Sequence, residues 1–148
     1  MSFSSDIEKF VKKTGANADK VVREVVLDIG KSLVYRTPVG NPLKWEHPEK
    51  APKGYVGGHA RGNWQHSVGN RVIEEIDCID PSGQKSIDRI EQSIPQSAAG
   101  LVHYVQNSVP YIKRLEEGHS KHQAPHGMVA LTEVQFKDYM AQQLAALK

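Results

Sequence analysis

Apolar residues recur every three or four positions in the first quarter of the chain, a spacing that puts them on one face of a helix. The pattern predicts a helix from about Val21 to about Arg36, because Pro38 disfavours helical geometry at the residue before it. A shorter pattern precedes it, in which Glu8 follows Ser5 by three residues, as in a capping box. Together they predict an N-terminal helical pair. The stripe of the longer helix is Val21, Val22, Val25, Val26, Ile29, Leu33 and Val34.

The periodicity disappears over residues 37–62, a loop of 26 residues that holds four of the eight prolines and five of the twelve glycines. Irregular connections longer than about 12 to 15 residues are uncommon in compact domains and are often functional. Trp45 and Tyr55 lie in this loop. Aromatic side chains are frequent anchors of protein interfaces, so the loop predicts an interaction surface. The alternative is that Trp45 packs back onto the core of its own chain.

Period-two alternation over residues 63–70 and the apolar run at residues 101–105 predict strands. Residues 71–79 fit a further strand or a short helix equally well. We therefore predict a small antiparallel sheet of three to four strands. Its expected core or near-core side chains are Trp64, Val68, Leu101 and Tyr104.

Three further helices are predicted towards the C-terminus. The first is short and ends at Pro95, and the second is one or two turns long and stops at Gly118. The third is a long C-terminal helix from Met128 with one apolar side that includes Val134 and Phe136. The fold class is thus α+β, with residues 1–148 forming a single domain in which the N-terminal helical pair and the C-terminal helix pack on the sheet.

Composition narrows the class of protein. The 148 residues carry a net charge of only +2, which argues against a dedicated nucleic-acid binder. Cys78 is the single cysteine, so an intramolecular disulfide framework and an all-cysteine zinc site are excluded. No apolar run is long enough to cross a membrane, and the first ten residues lack the pattern of a signal peptide. We expect a soluble, intracellular globular protein.

Three histidines close together, His119, His122 and His126, are the main candidates for chemistry. Histidine is a common metal ligand, so a small metal-dependent hydrolase is one hypothesis. Gly118 and Pro125 break the helix that would align the rings on one face, so we predict no metal, cofactor or catalytic residue. A DNA-binding accessory protein is a further hypothesis, because the loop has a mildly basic character. Its cations are Lys44, Lys50, Lys53 and Arg61, partly offset by Glu46 and Glu49.

Several blocks of the chain, in order, resemble one family. The motif RTPVG at residues 36–40 is followed by RGNWQHSVG at residues 61–69, and IDPSG follows at residues 79–83. The second half contains VQNSVPYIKRLEEGHS at residues 105–120 and QAPHGMV at residues 123–129. This succession resembles the tail-component or neck (tail-completion) proteins of tailed bacteriophages, with Ile112 in place of a small residue and Lys121-His122 as an insertion.

The resemblance implies a structural virion protein and no enzyme. It implies a homo-oligomeric ring at the head-tail junction, six copies being favoured and twelve the alternative. The ring would contact the connector or stopper protein on the head side and the tail tube or tail terminator protein on the other. Double-stranded DNA would pass through its central channel, and assembly would occur in the host cytoplasm without a membrane.

Residues in the irregular segments are the candidates for contact between subunits or with the tail tube. For Tyr111 and Leu115, packing in the core is the competing interpretation. The interface candidates are Trp45, Tyr55, Pro110, Tyr111, His119, His122, Pro125 and His126.

Overall fold

The computed structural model describes residues 4–6, 8–9 and 17–146 and has an α+β fold with a long C-terminal helix, as predicted. Residues 4–6 and 8–9 are helical, but the remainder of the predicted first helix lies outside the described residues, so the helical pair stays a prediction. In chain order the elements are α1 (Ala18–Arg36), two short 3-10 helices (Pro42–Lys44 and Pro48–Lys50), α2 (His59–Gly62), β1 (Gln65–Val68), α3 (Gln84–Ser93), β2 (His103–Gln106), α4 (Ile112–Glu116) and α5 (Val129–Ala145).

Helix α1 is the central element of the core. Its predicted apolar stripe is buried apart from Ile29, which is partly buried, and α1 packs against α5 on one side and α3 on the other. Gly30 allows the close approach of α3, because a Cβ there would lie 3.1 Å from a methyl group of Ile90. The helix ends at Arg36, as Pro38 predicts, and the Thr37 hydroxyl donates a hydrogen bond of 2.6 Å to the Leu33 carbonyl.

The described part of the sheet has two antiparallel strands, β1 and β2, paired from Gln65 with Gln106 to Val68 with His103. The prediction of three to four strands was wrong for this part of the chain. Residues 71–79 form neither of the predicted elements. Side chains take the place of ladder bonds there: Asn63 bonds both backbone groups of Ile76, and Gln65 donates to the Glu74 carbonyl.

Two expected core contributors of the sheet are exposed. Trp64 is buried as predicted, with 3% of its surface exposed, but Val68 and Leu101 are 37% and 42% exposed. His66, on the same face as Val68, already contacts Ser93 at the last residue of α3. Because Val68 lies two residues further along the strand, it extends past the helix that covers this face.

Helix α5 packs through a narrow seam rather than a broad apolar side. Only Thr132 and Phe136 are buried, and Val134, predicted to be on the apolar side, is 77% exposed. The seam is partly polar, since the hydroxyls of Ser32 and Thr132 are 2.8 Å apart. Among the described residues, no helix has the length and apolar character needed to cross a membrane.

Candidate functional site

Side chains close the loop of residues 37–62 at its base. The Trp64 indole nitrogen donates to the Thr37 hydroxyl over 2.6 Å. The Arg61 guanidinium donates to the carbonyls of Thr37, at 2.9 Å, and of Pro81, at 2.6 Å. The loop therefore leaves the core and returns to it at one place, and the residues between project as a continuous surface.

A buried carboxylate organises the turn before α3. Asp80 is 1% exposed and accepts bonds of 2.9 Å from both the backbone nitrogen and the hydroxyl of Ser86, and one of 3.1 Å from the Gly83 nitrogen. Burial alone would raise the pKa of Asp80, but hydrogen bonds from Ser86, Ser82 and Gly83 outweigh it and hold this pKa below its usual value. The sequence predicts the turn but not its buried anion.

A second carboxylate fixes the start of α5. Glu116 accepts hydrogen bonds from the backbone nitrogens of Met128, Val129 and Ala130 at 2.7, 2.9 and 3.0 Å. These nitrogens lack partners within the helix, and a negative charge is favoured at this end. Gly127 has a φ of +83°, and a Cβ there would lie 2.6 Å from the Glu116 carbonyl oxygen. Residues 117–127 are thereby closed into a second loop.

These bonds give structural roles to residues of the quoted motifs. Thr37, Arg61, Trp64, Asp80 and Glu116 hold loops against the core, and their polar atoms are used in doing so. Sequence reasoning missed these roles because each partner lies on a different segment and no local spacing marks it. The signal that was available was the presence of polar residues between apolar ones in the motifs.

The two loops face each other across a groove of about 480 Å³, here called the aromatic groove, lined by residues 38–41, 44–46, 55, 58–60, 111, 115 and 119–123. The Gln123 side chain joins the loops, since it accepts from the Val39 nitrogen at 2.8 Å and donates to the Val39 carbonyl at 3.0 Å. Trp45 and Tyr55 meet edge to face, with ring centres 5.1 Å apart. Tyr55 also fills the space that a side chain at Gly40 would need.

The aromatic groove brings together five of the eight predicted interface residues. Trp45 is half-buried and outside the core, so the alternative of a core tryptophan at this position was wrong. Leu115 packs against the core, whereas Tyr111 is exposed. The buried part of the Tyr111 side chain has lost solvent, and this raises the pKa of its hydroxyl; the nearby charges of Tyr55 and Glu75 raise it further. Trp45, Tyr55, Tyr111, His119 and His122 line the groove, and Pro110, Pro125 and His126 do not.

The polar lining of the groove is mixed in charge. Lys44, Glu46 and Lys121 line the groove. His59 also lines it, and its Nε2 atom lies 2.5 Å from a carboxylate oxygen of Glu75. Within residues 4–6, 8–9 and 17–146, no group of three or more His, Cys, Asp or Glu is placed to hold a metal ion. The arrangement suits contact with a polypeptide, because it combines aromatic surface with hydrogen-bonding groups.

No protein-family model, curated protein or solved structure matches the chain significantly.

Proposed function

We propose that this chain is a structural protein of a tailed-phage virion, acting at the head-tail junction. In this proposal it forms a ring that joins the connector or stopper protein to the tail tube or its terminator, and DNA passes through the ring. The observation that carries the proposal is the aromatic groove, in which Trp45, Tyr55 and Tyr111 are gathered by two loops from distant parts of the chain.

The groove has the composition expected of a docking surface for protein. Interface energy is concentrated in a few aromatic and Arg residues that lie in pockets with a polar surround. Trp45 and Tyr55 supply such a centre, and Lys44, Lys121 and His122 supply polar groups around it. The Gln123 bridge to Val39 and the ties at the base of the loop organise the groove in the isolated chain, which lowers the ordering cost of binding.

A ring also sets requirements for symmetry and charge. Contacts between successive subunits are heterologous, so a groove on one copy receives a different surface of the next. We infer that the aromatic groove receives a segment of the neighbouring subunit, and that six copies close the ring. The net charge of +2 agrees with a channel for DNA, because many phosphate contacts would retard its passage.

Replacement of Trp45 by Ala should prevent assembly while leaving the fold intact. The loss of a central aromatic anchor weakens an interface by about 2 kcal/mol or more, which is at least about thirtyfold in affinity per contact. Native mass spectrometry of the purified protein, alone and with tail-tube protein, measures the distribution of oligomers. Leu43→Ala is the matched control, because Leu43 is 87% exposed, lies two residues away and does not line the groove.

The two variants separate the groove from general effects of the loop. A ring in the wild type and in Leu43→Ala, with monomers in Trp45→Ala, is the expected result. If Trp45→Ala forms the ring but no longer binds tail-tube protein, the groove serves the tail and not the neighbouring subunit. A wild-type chain that stays monomeric and ignores both connector and tail-tube proteins would refute the proposed function.

A further inference from the structure

Two histidines at the sheet form a continuous row of hydrogen bonds with their neighbours. His66 of β1 and His103 of β2 stack with ring centres 5.2 Å apart, and His66 Nε2 lies 2.9 Å from His103 Nδ1. At one end His103 Nε2 lies 2.7 Å from the Ala98 carbonyl oxygen. At the other, His66 Nδ1 lies 2.7 Å from the Ser93 hydroxyl, which lies 2.7 Å from the Ile90 carbonyl oxygen.

The four contacts of this row need more hydrogen atoms than two neutral imidazoles and one hydroxyl supply. Both ends are carbonyl oxygens, which only accept, so the four contacts need one hydrogen each. Two neutral imidazoles supply one N–H each and Ser93 supplies one O–H, which makes three. With neutral rings one contact therefore sets two lone pairs against each other at 2.7 to 2.9 Å. One added proton satisfies all four contacts, and a second would set two N–H groups against each other.

We propose that His66 and His103 form a binding site for a single shared proton, which joins the sheet to the C-terminal end of α3. In the complete row His103 donates from both ring nitrogens, to Ala98 and to His66. His66 donates from Nδ1 to Ser93, and Ser93 donates to Ile90. His66 Nε2 is then the one ring nitrogen without a hydrogen.

The surroundings agree with a positive charge on His103 and a neutral His66. Burial, and then the charge of His103, lowers the pKa of His66 to about 4. No carboxylate bonds either ring among the described residues. The charged groups on the adjoining elements include Arg89 of α3, which donates to the Gly62 and Trp64 carbonyls, and Asp19 of α1, which accepts from the Ala99 nitrogen. Asp6 and Glu133 line a groove together with His103.

The shared proton makes the junction most stable near neutral pH. As the pH rises and the proton leaves, one of the four contacts loses its hydrogen and stability falls. As the pH drops below the ordinary histidine pKa of about 6.5, the unfolded chain takes up two protons and the folded pair keeps one, so stability falls again until His66 is protonated near pH 4.

Nitrogen NMR of the histidine rings in the ¹⁵N-labelled protein at pH 7 tests the proposal on the wild-type chain. The expected result is three protonated ring nitrogens out of the four of His66 and His103, with His66 Nε2 unprotonated. Two protonated nitrogens would show a neutral pair, and four would show two charges, and each count overturns the proposal.

Ser93→Ala is the matched variant. Without the hydroxyl only the contacts of His103 with Ala98 and His66 remain, and two neutral rings satisfy both. The count at pH 7 should therefore fall from three to two in this variant. If it stays at three, the serine does not hold the proton in place and the proposed row is wrong.

Discussion

Replacing Trp64 by Ala should lower the free energy of unfolding by about 3 to 5 kcal/mol, the range found when a buried large aromatic side chain is truncated. Trp64 is 3% exposed and packs in the main core cluster with residues of α1 and α3. Its indole nitrogen also donates to the Thr37 hydroxyl at the base of the loop. The variant therefore opens a cavity and loosens the closure of residues 37–62.

Urea unfolding, followed by circular dichroism, measures this change. Trp64→Phe keeps most of the packing and removes the hydrogen bond, so we expect a smaller loss, of about 1 to 2 kcal/mol. Trp45→Ala should cost less than either, because Trp45 lies outside the core. Equal unfolding midpoints for Trp64→Ala and Trp45→Ala would contradict the placement of Trp64 as the residue that joins loop and core.

Replacing Asp80 by Ala should cost about 2 to 4 kcal/mol, because the buried donors of Gly83 and Ser86 lose a charged acceptor and gain none. Urea unfolding at pH 7 measures the loss. Asp88→Ala is the control, since Asp88 lies on the exposed side of α3, the helix that follows the Asp80 turn, and bonds the Gln84 side chain. An Asp80→Ala protein as stable as Asp88→Ala would show that this carboxylate is dispensable.

The ionised Asp80 carboxylate also makes the stability of the folded chain depend on pH in the acid range. Its folded-state pKa is lowered, so its stabilising contribution is present above the unfolded value of about 3.9 and is lost as the pH falls through the folded value. Wild-type stability should therefore decline below about pH 4 more steeply than that of Asp80→Ala. Parallel declines would mean that these hydrogen bonds do not lower the pKa of Asp80 in the folded chain.

The periodic elements of this fold were predictable. The stripe from Val21 to Val34 and the stop at Pro38 follow from local rules, and they locate α1 within a few residues. The irregular conformation of residues 71–79 was not predictable in this way. Their sequence fits a strand or a short helix equally well, but the side chains of Asn63 and Gln65 occupy their backbone groups, and no propensity describes that competition.

The site was predictable as a set of residues but not as a shape. Aromatic residues in an irregular loop indicated a surface, and the structure gathers Trp45, Tyr55 and Tyr111 at one groove. The link that forms the groove is Gln123 to Val39, two residues 84 positions apart, and neither is unusual in its local sequence. The histidine row is equally hidden, because its geometry depends on the register of β1 with β2.

Electron cryomicroscopy of the assembled particle tests the central claim most directly, because it shows what lies in the groove formed by Trp45, Tyr55 and Tyr111. We expect a ring of identical copies in which density from the adjoining copy fills each groove and covers Trp45. Copies that touch through other surfaces, with every groove open to solvent, would contradict it.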